Sequence, residues 1–385
     1  MEIYIHIPFC ERKCNYCDFL SGISTKEDRY LYTKALEREL ILCGEKYKDK
    51  EITSVFIGGG TPTYLEVSYM LEIIETLKKN FNLRSNLEFT IECNPKSATL
   101  DALKKYRQSG INRISIGLQS VNFDELKMLG RIHTYNDFLK TFEYARIAGF
   151  SNINVDIMTG LPMQNEKKLK KTLESVVMLR PEHISAYNLI IEEGTPFFKK
   201  YIDDVKRRDR GDETRFLPNE DMEYNLTLMT EDFLISHRYI QYEISNFSRE
   251  GKECIHNKGY WEREEYLGVG LGASSFINET RWKNTSDAYK YRESLSHDKL
   301  PKEDEVKLSK KDAMEEFFYL GLREIRGVSR NKFESYFNMT VDSVYRDVIN
   351  DLKNKNLIIE DKASIRLTKR GRNISNLVLA EFLLD

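Results

Sequence analysis

Apolar residues in the first half of the chain follow two alternating rhythms. Short runs rich in Ile, Val and Phe predict strands at Ile3–Ile7, Ile52–Ile57, Leu87–Cys93, Ile111–Gly117, Ile153–Thr159 and His183–Leu189. Between them, apolar positions three and four apart predict helices over Lys26–Tyr47, Val67–Phe81, Leu100–Ser109, Tyr135–Ala148 and Lys167–Leu179. In the first of these, Tyr32, Leu36, Leu40, Cys43 and Tyr47 make one stripe. Repeated strand–helix units require parallel strands, because each crossover helix returns the chain to the same end of the sheet. Six units suit a TIM-like partial (β/α)6 barrel or an open doubly wound sheet; the α/β partial barrel is the expectation here.

Beyond residue 190 the rhythm breaks. Lys199–Arg210 is dense in charges of both signs and predicts a solvated loop. A helix is expected over Asn219–Ser236, a strand over Tyr239–Ile244, then a Gly-rich stretch at Gly268–Gly272. Met314, Phe317, Phe318, Gly321, Leu322 and Ile325 share a helical face, and Leu357–Ile359 and Ile365–Leu367 flank a turn at Asp361–Lys362. Helices, a small hairpin and a last helix predict a C-terminal α+β domain of winged-helix type. The expected partition is a barrel over 1–205, a barrel-side extension over 206–304 and the winged-helix-like domain over 305–385.

Composition narrows the functional classes. At about 150 residues per domain, 385 residues suit two or three domains. A hydrophobic content of 41% with 31% charged residues excludes a disordered chain. The 59 basic against 61 acidic residues leave a formal charge of -2, without the excess that drives nucleic-acid binding. No uncharged apolar run is long enough to cross a membrane, and the first residues lack a signal peptide's basic start and cleavage site. The expected location is cytoplasmic, with peripheral membrane contact left open.

Three of the six cysteines, Cys10, Cys14 and Cys17, crowd into one loop, while Cys43, Cys93 and Cys254 are scattered and read as packing residues. Zinc favours four protein ligands in paired knuckles, and no second knuckle exists here; His6 is a possible fourth ligand but sits in a strand. An iron–sulfur cubane held by three thiolates, with one iron left for an external ligand, is the preferred reading. Each predicted strand also ends in distinctive chemistry. After the cysteine loop come Gly58-Gly59-Gly60-Thr61-Pro62, then Glu92 with Asn94-Pro95, then Gln119-Ser120, then Asp156 with Gly160-Leu161-Pro162, then Tyr187-Asn188. The carboxyl ends of parallel strands converge on one face, where ligands bind. Glycines let a ligand approach the backbone, Arg131 could pair a carboxylate, and Glu92 or Asp156 could accept from hydroxyls or an amine.

These motifs carry a family resemblance. Tyr4-Ile5-His6-Ile7-Pro8-Phe9-Cys10 and Cys14-Asn15-Tyr16-Cys17-Asp18-Phe19 resemble the radical S-adenosylmethionine superfamily, in its oxygen-independent coproporphyrinogen dehydrogenase (HemN/HemW) branch. The likeness runs on through Gly58–Thr63, Glu92-Cys93-Asn94-Pro95, Arg113–Ser120, Gly130-Arg131-Ile132-His133 and Asp156 to Pro162. The resemblance implies a 4Fe–4S cluster on Cys10, Cys14 and Cys17, with S-adenosylmethionine on the fourth iron. It also implies that Tyr4, Tyr16, Gly59, Gly60, Thr61, Glu92, Gln119, Arg131 and Asp156 contact S-adenosylmethionine. The cofactor pair implied is one that reductively cleaves the sulfonium to a deoxyadenosyl radical, shielded by barrel walls.

Within the branch, porphyrinogen-decarboxylating members carry a fourth cysteine two residues after the third, where this chain has Phe19. The cluster motif also follows the first residue closely, without the extension those members have. Both features resemble the haem-chaperone (HemW) side, as does Cys254-Ile255-His256-Asn257 with Tyr260-Trp261, which is similar to the HNxxYW motif implicated in haem binding. His256 is then a candidate iron ligand, with Asn257 beside it, while Tyr260 and Trp261 offer flat faces to a macrocycle; a loop-capping His beside core aromatics would read the same. The expected function is a chaperone that binds haem and passes it to an acceptor protein, served by a low-potential electron donor such as flavodoxin or ferredoxin. The alternatives are oxidative decarboxylation of coproporphyrinogen III, another radical reaction such as methyl transfer, or docking of an acceptor or nucleic acid through the C-terminal domain.

Overall fold

All six expected strands form and pair in order. The computed structural model describes residues 1–384. In it β1 (Glu2–Ile7), β2 (Glu51–Gly59), β3 (Asn82–Cys93), β4 (Arg113–Gln119), β5 (Ile153–Thr159) and β6 (His183–Asn188) each lie parallel to the next. The crossovers carry α1 (Lys26–Lys46), α2 (Val67–Asn80), α3 (Leu100–Gln108), α4 (Phe123–Met128), α5 (Tyr135–Ile147) and α6 (Glu166–Met178). Thr25, Thr99, Thr134 and Asn165 start four of these helices by accepting a hydrogen bond from a first-turn N–H. The stripe Leu36, Leu40 and Cys43 packs in one core with Ile3, Ile5 and Ile57 of the strands. Alternation along β1 then turns Glu2, Tyr4 and His6 to the opposite face.

That opposite face is concave. Adjacent strands lie about 4.8 Å apart, so β1 and β6 in a flat sheet would be separated by roughly 24 Å. Yet Tyr4 of β1 and Ser185 and Tyr187 of β6 line one cavity. The parallel strands therefore curl around it as the wall of a partial barrel.

The sheet extends beyond the six expected strands at both edges. After α7 (Pro196–Asp209) and α8 (Glu220–Ser236), β7 (Ile240–Gln241) and β8 (Asn246–Ser248) add an antiparallel margin beside β6. After α9 (Ile255–Trp261), β9 (Tyr266–Val269) pairs parallel with β1 on the other side. The antiparallel strands β10 (Ser274–Ile277), β11 (Thr280–Asn284) and, beyond α10 (Ala288–Ser296), β12 (Lys302–Lys307) complete a twelve-stranded sheet.

Two expectations need correction. Lys199–Arg210 is not a loop: it lies almost wholly within α7, whose Phe197, Tyr201 and Val205, four apart, pack with Met158, Leu161 and Leu189. Thr195 caps the helix, and the mixed charges occupy its outer face, apart from Asp204, which accepts from the backbone N–H of Arg215, Phe216 and Leu217. The Tyr239–Ile244 strand shrinks to β7. The Glu243 carboxylate accepts from Ser245 N and Asn246 Nδ2, which turns the chain back at once into β8.

The C-terminal domain contains α11 (Lys310–Gly321), β13 (Val328–Ser329), α12 (Arg330–Phe337), α13 (Val341–Asn354), β14 (Ile358–Glu360) and β15 (Ser364–Leu367). It has its own core around Phe317, Phe318, Phe333, Tyr345 and Ile365. The buried Glu316 of α11 ties it to the sheet, accepting from Arg263 Nε at 3.2 Å and Arg281 Nε at 2.8 Å. Among the described residues no helix is long and apolar enough to cross a membrane.

Candidate functional site

The cysteine loop is pinned at both ends and in its middle. Cys10 N donates to Gly22 O and Gly22 N to Pro8 O, closing the loop onto itself. Asn15 N and Nδ2 reach Leu129 O and Met128 O, and Phe197 N at the start of α7 donates to Asn15 O. All three thiols are unpaired and line a cavity of about 630 Å³. Thr61 Oγ1 points its hydroxyl at Cys10 Sγ (3.6 Å), and Arg131 Nη1 lies 3.5 Å from Cys14 Sγ. Both are donors of the kind a thiolate accepts. Among the described residues no three His, Cys, Asp or Glu groups converge on a single-ion position. The thiolates of a cubane each bind a separate iron and so need to rim a cup, not meet at a point.

Gly59 and Gly60 shape that cup. Gly59 has φ +116, and a Cβ there would meet the His6 ring at 2.6 Å. A Cβ on Gly60 would lie 2.7 Å from Phe9 O and 2.9 Å from Cys10 Sγ. Beneath them, Glu92 Oε2 accepts from Gly59 N at 3.1 Å. Burial, with the Asp156 charge beside it, pushes the Glu92 carboxyl up to about 8. Asp156 accepts from Asn154 Nδ2 (2.7 Å) and Ser115 Oγ (3.1 Å), and burial raises it too. Gln119 takes φ +70 at a register shift between β4 and β5, and its Oε1 accepts from Tyr187 OH at 2.9 Å. Tyr4, Tyr16 and Thr61 complete this wall, so the structure brings all the expected S-adenosylmethionine contacts to one cavity. The donor-rimmed sulfurs and side-chain-free Gly60 fit a cluster and an adenosyl ligand.

Arg131 is partly engaged, with its buried Nε left without an acceptor among the described residues. Its Nη2 donates to Asn94 Oδ1 and Gly117 O, both at 2.8 Å, so it braces the loops after β3 and β4. His6 is likewise engaged, through Leu20 O at 2.8 Å and Tyr4 OH at 3.1 Å.

The second motif splits. His256, Asn257 and Tyr260 on α9 line the same cavity as the cysteines, with His256 held at Ser54, five residues before Gly59 on β2. His256 is buried, its Nδ1 2.8 Å from Ser54 Oγ and its Nε2 3.1 Å from Tyr260 OH, with its ring stacked on Phe56. Burial, helped by the Arg113 cation, pulls the imidazole down to about 3, so it is neutral. Trp261 is not part of the cavity wall; it packs under the Arg323 guanidinium, 4.5 Å from its ring. A second chamber of about 520 Å³ adjoins, sharing Tyr4, Gly59 and Tyr260 and adding Tyr266 and Arg281.

Sequence reasoning passed over Arg113 as a residue of its own. It opens β4, is buried and lines the cavity, although a strand-initial Arg ordinarily reads as surface charge. The signal was its parity with Ser115, Gly117 and Gln119, which puts it on their face of the strand.

The chain is similar to known proteins over its full length. The family model described as "Radical SAM superfamily" matches residues 4–176, and that described as "HemN C-terminal domain" matches residues 308–374. The chain is 34% identical over 381 residues to "Heme chaperone HemW" of Bacillus subtilis (strain 168), covering 99% of this chain and 98% of that one. It is 32% identical to the Danio rerio protein "Radical S-adenosyl methionine domain-containing protein 1, mitochondrial", covering 100% and 87% respectively. Among solved structures, Escherichia coli coproporphyrinogen III oxidase (HemN) superposes with a TM-score of 0.84 at 22% identity, over 99% of this chain and 89% of that one.

Proposed function

The chain belongs to the HemN/HemW family of the radical S-adenosylmethionine superfamily, on its HemW side, and from that premise we propose that it is a haem chaperone. In this reading it holds a 4Fe–4S cluster on Cys10, Cys14 and Cys17, binds S-adenosylmethionine beside it, and carries haem to an acceptor protein. One observation carries the proposal: the three thiols and His256, Asn257 and Tyr260 line a single cavity. The family's cluster would supply one-electron chemistry at the sulfonium.

The chain's own residues prepare the site for both guests. Thr61 and Arg131 direct donors at the sulfurs, Gly59 and Gly60 leave room at the rim, and Glu92 and Asp156 offer acceptors to ribose hydroxyls or the amine. His256 is neutral, as metal ligation requires, and Ser54 orients it through Nδ1. Ligation through Nε2 would replace its 3.1 Å contact with Tyr260 OH. Phe19 stands where decarboxylating members have a fourth cysteine, and this favours the carrier over the oxidase.

The test is direct. Full-length protein reconstituted anaerobically should take up haem saturably and pass it to an apo-haemoprotein. With S-adenosylmethionine, reductant and coproporphyrinogen III it should form no protoporphyrinogen. Efficient decarboxylation would reject the chaperone reading.

A further inference from the structure

Arg113 is a buried cation without a partner. It is 2% exposed, its Nε has no hydrogen-bond acceptor, and no carboxylate lies within 4.0 Å of its guanidinium among the described residues. Its neighbours are already committed. Asp156 is held by Ser115 and Asn154. The Glu88 carboxylate accepts from Ile255 N (3.1 Å) and His256 N (3.2 Å), with the Cys254 thiol 3.5 Å away. Burial opposes the Arg113 charge and the nearby Cys254, Glu88 and Asp156 groups offset it from a distance, but none of them bonds the guanidinium, and its Nε is left without an acceptor. The guanidinium faces the central cavity, whose wall here is polar: Ser115, Asn154, Ser185, Ser245 and Asn246.

Depth separates this position from the cysteines. Arg113 and Gln119 lie six residues apart on one strand, so at about 3.3 Å per residue they are on the order of 20 Å apart. An S-adenosylmethionine anchored by its amino-acid end at the cysteine loop leaves its own carboxylate far from Arg113. A carboxylate reaching Arg113 would then come from a second ligand, in the cavity that His256, Asn257 and Tyr260 also line.

We propose that Arg113 is the seat for a carboxylate of that second ligand, which, resting on the haem-chaperone reading, is a propionate arm of the macrocycle. The guanidinium pairs the carboxylate by charge-assisted hydrogen bonds, fixing which edge of the ligand enters first.

The experiment compares iron protoporphyrin IX with its dimethyl ester in anaerobic absorption titrations of the full-length, cluster-loaded protein. The unsubstituted chain should bind the free acid about 10- to 100-fold more tightly than the ester. Arg113→Gln should bind both as weakly as the ester, while Arg113→Lys, which keeps the positive charge near Asp156, should restore part of the preference and leave S-adenosylmethionine affinity unchanged. Equal binding of acid and ester by the unsubstituted chain overturns the seat while leaving the haem reading intact. So does a preference that survives in Arg113→Gln, or a loss confined to S-adenosylmethionine. Binding of neither porphyrin overturns the haem reading itself. If Arg113→Gln fails to fold, the acid–ester comparison on the unsubstituted chain and Arg113→Lys still decides.

Discussion

Gly60 is the position where a single methyl group should do most damage. A Cβ there would press on Phe9 O and Cys10 Sγ, neither of which can move without shifting the cysteine loop. Gly60→Ala should lower S-adenosylmethionine affinity at least ~10-fold, by equilibrium binding, with little change in fold by circular dichroism. The cysteines separate by role. Cys14→Ala should lose bound iron and its visible absorption, whereas Cys43→Ala, in the α1 core stripe, should keep both and lose only stability. His256→Ala should weaken haem retention and spare the cluster; an unchanged haem titration would remove His256 from the site. His133 predicts a pH effect. Burial, then the neighbouring Arg131 cation, pulls its imidazole down to about 3, with Nε2 donating to Leu118 O. Below pH 6.5 the unfolded chain takes this proton and the folded chain does not, so stability falls as pH drops from 6.5 toward 3. Unfolding free energies from urea titrations should fall more steeply over that window for the unsubstituted chain than for His133→Gln, by up to about 1.4 kcal/mol per pH unit.

At the scale of elements, the parallel strands were legible because each is a short β-branched run between capped amphipathic helices. Their ends were legible because glycines and polar residues interrupt those runs. The cysteine loop could be read from spacing alone. What escaped was whatever depends on distant partners. β9 reads as a Gly-rich turn until it pairs with β1, and β10–β12 are too short and polar to signal a sheet. Charge density masked α7, whose four-residue apolar spacing was the better guide. Trp261 and Arg113 were misjudged or missed for a related reason. Local sequence placed Trp261 in a motif but could not tell that α9 turns it away from His256 and Tyr260. Nor does a strand's first residue announce that a curled sheet will enclose it.

Across the whole molecule, one concave sheet encloses a cavity lined by both the three thiols and the α9 histidine. The C-terminal domain is held onto that sheet by Glu316 between Arg263 and Arg281, where Glu316 and Arg263 are nearly enclosed. Glu316→Ala leaves Arg263 with Glu279 alone, should cost about 1.5–3 kcal/mol, and should expose the domain junction to proteolysis. The central claim is that the cavity's thiol end carries an iron–sulfur centre whose open position admits S-adenosylmethionine. Electron paramagnetic resonance of the reduced, anaerobically reconstituted chain, recorded before and after adding S-adenosylmethionine, tests it most directly. The account predicts a cluster signal that changes on addition and is absent from Cys14→Ala; a signal indifferent to S-adenosylmethionine, or zinc in place of iron, would contradict it.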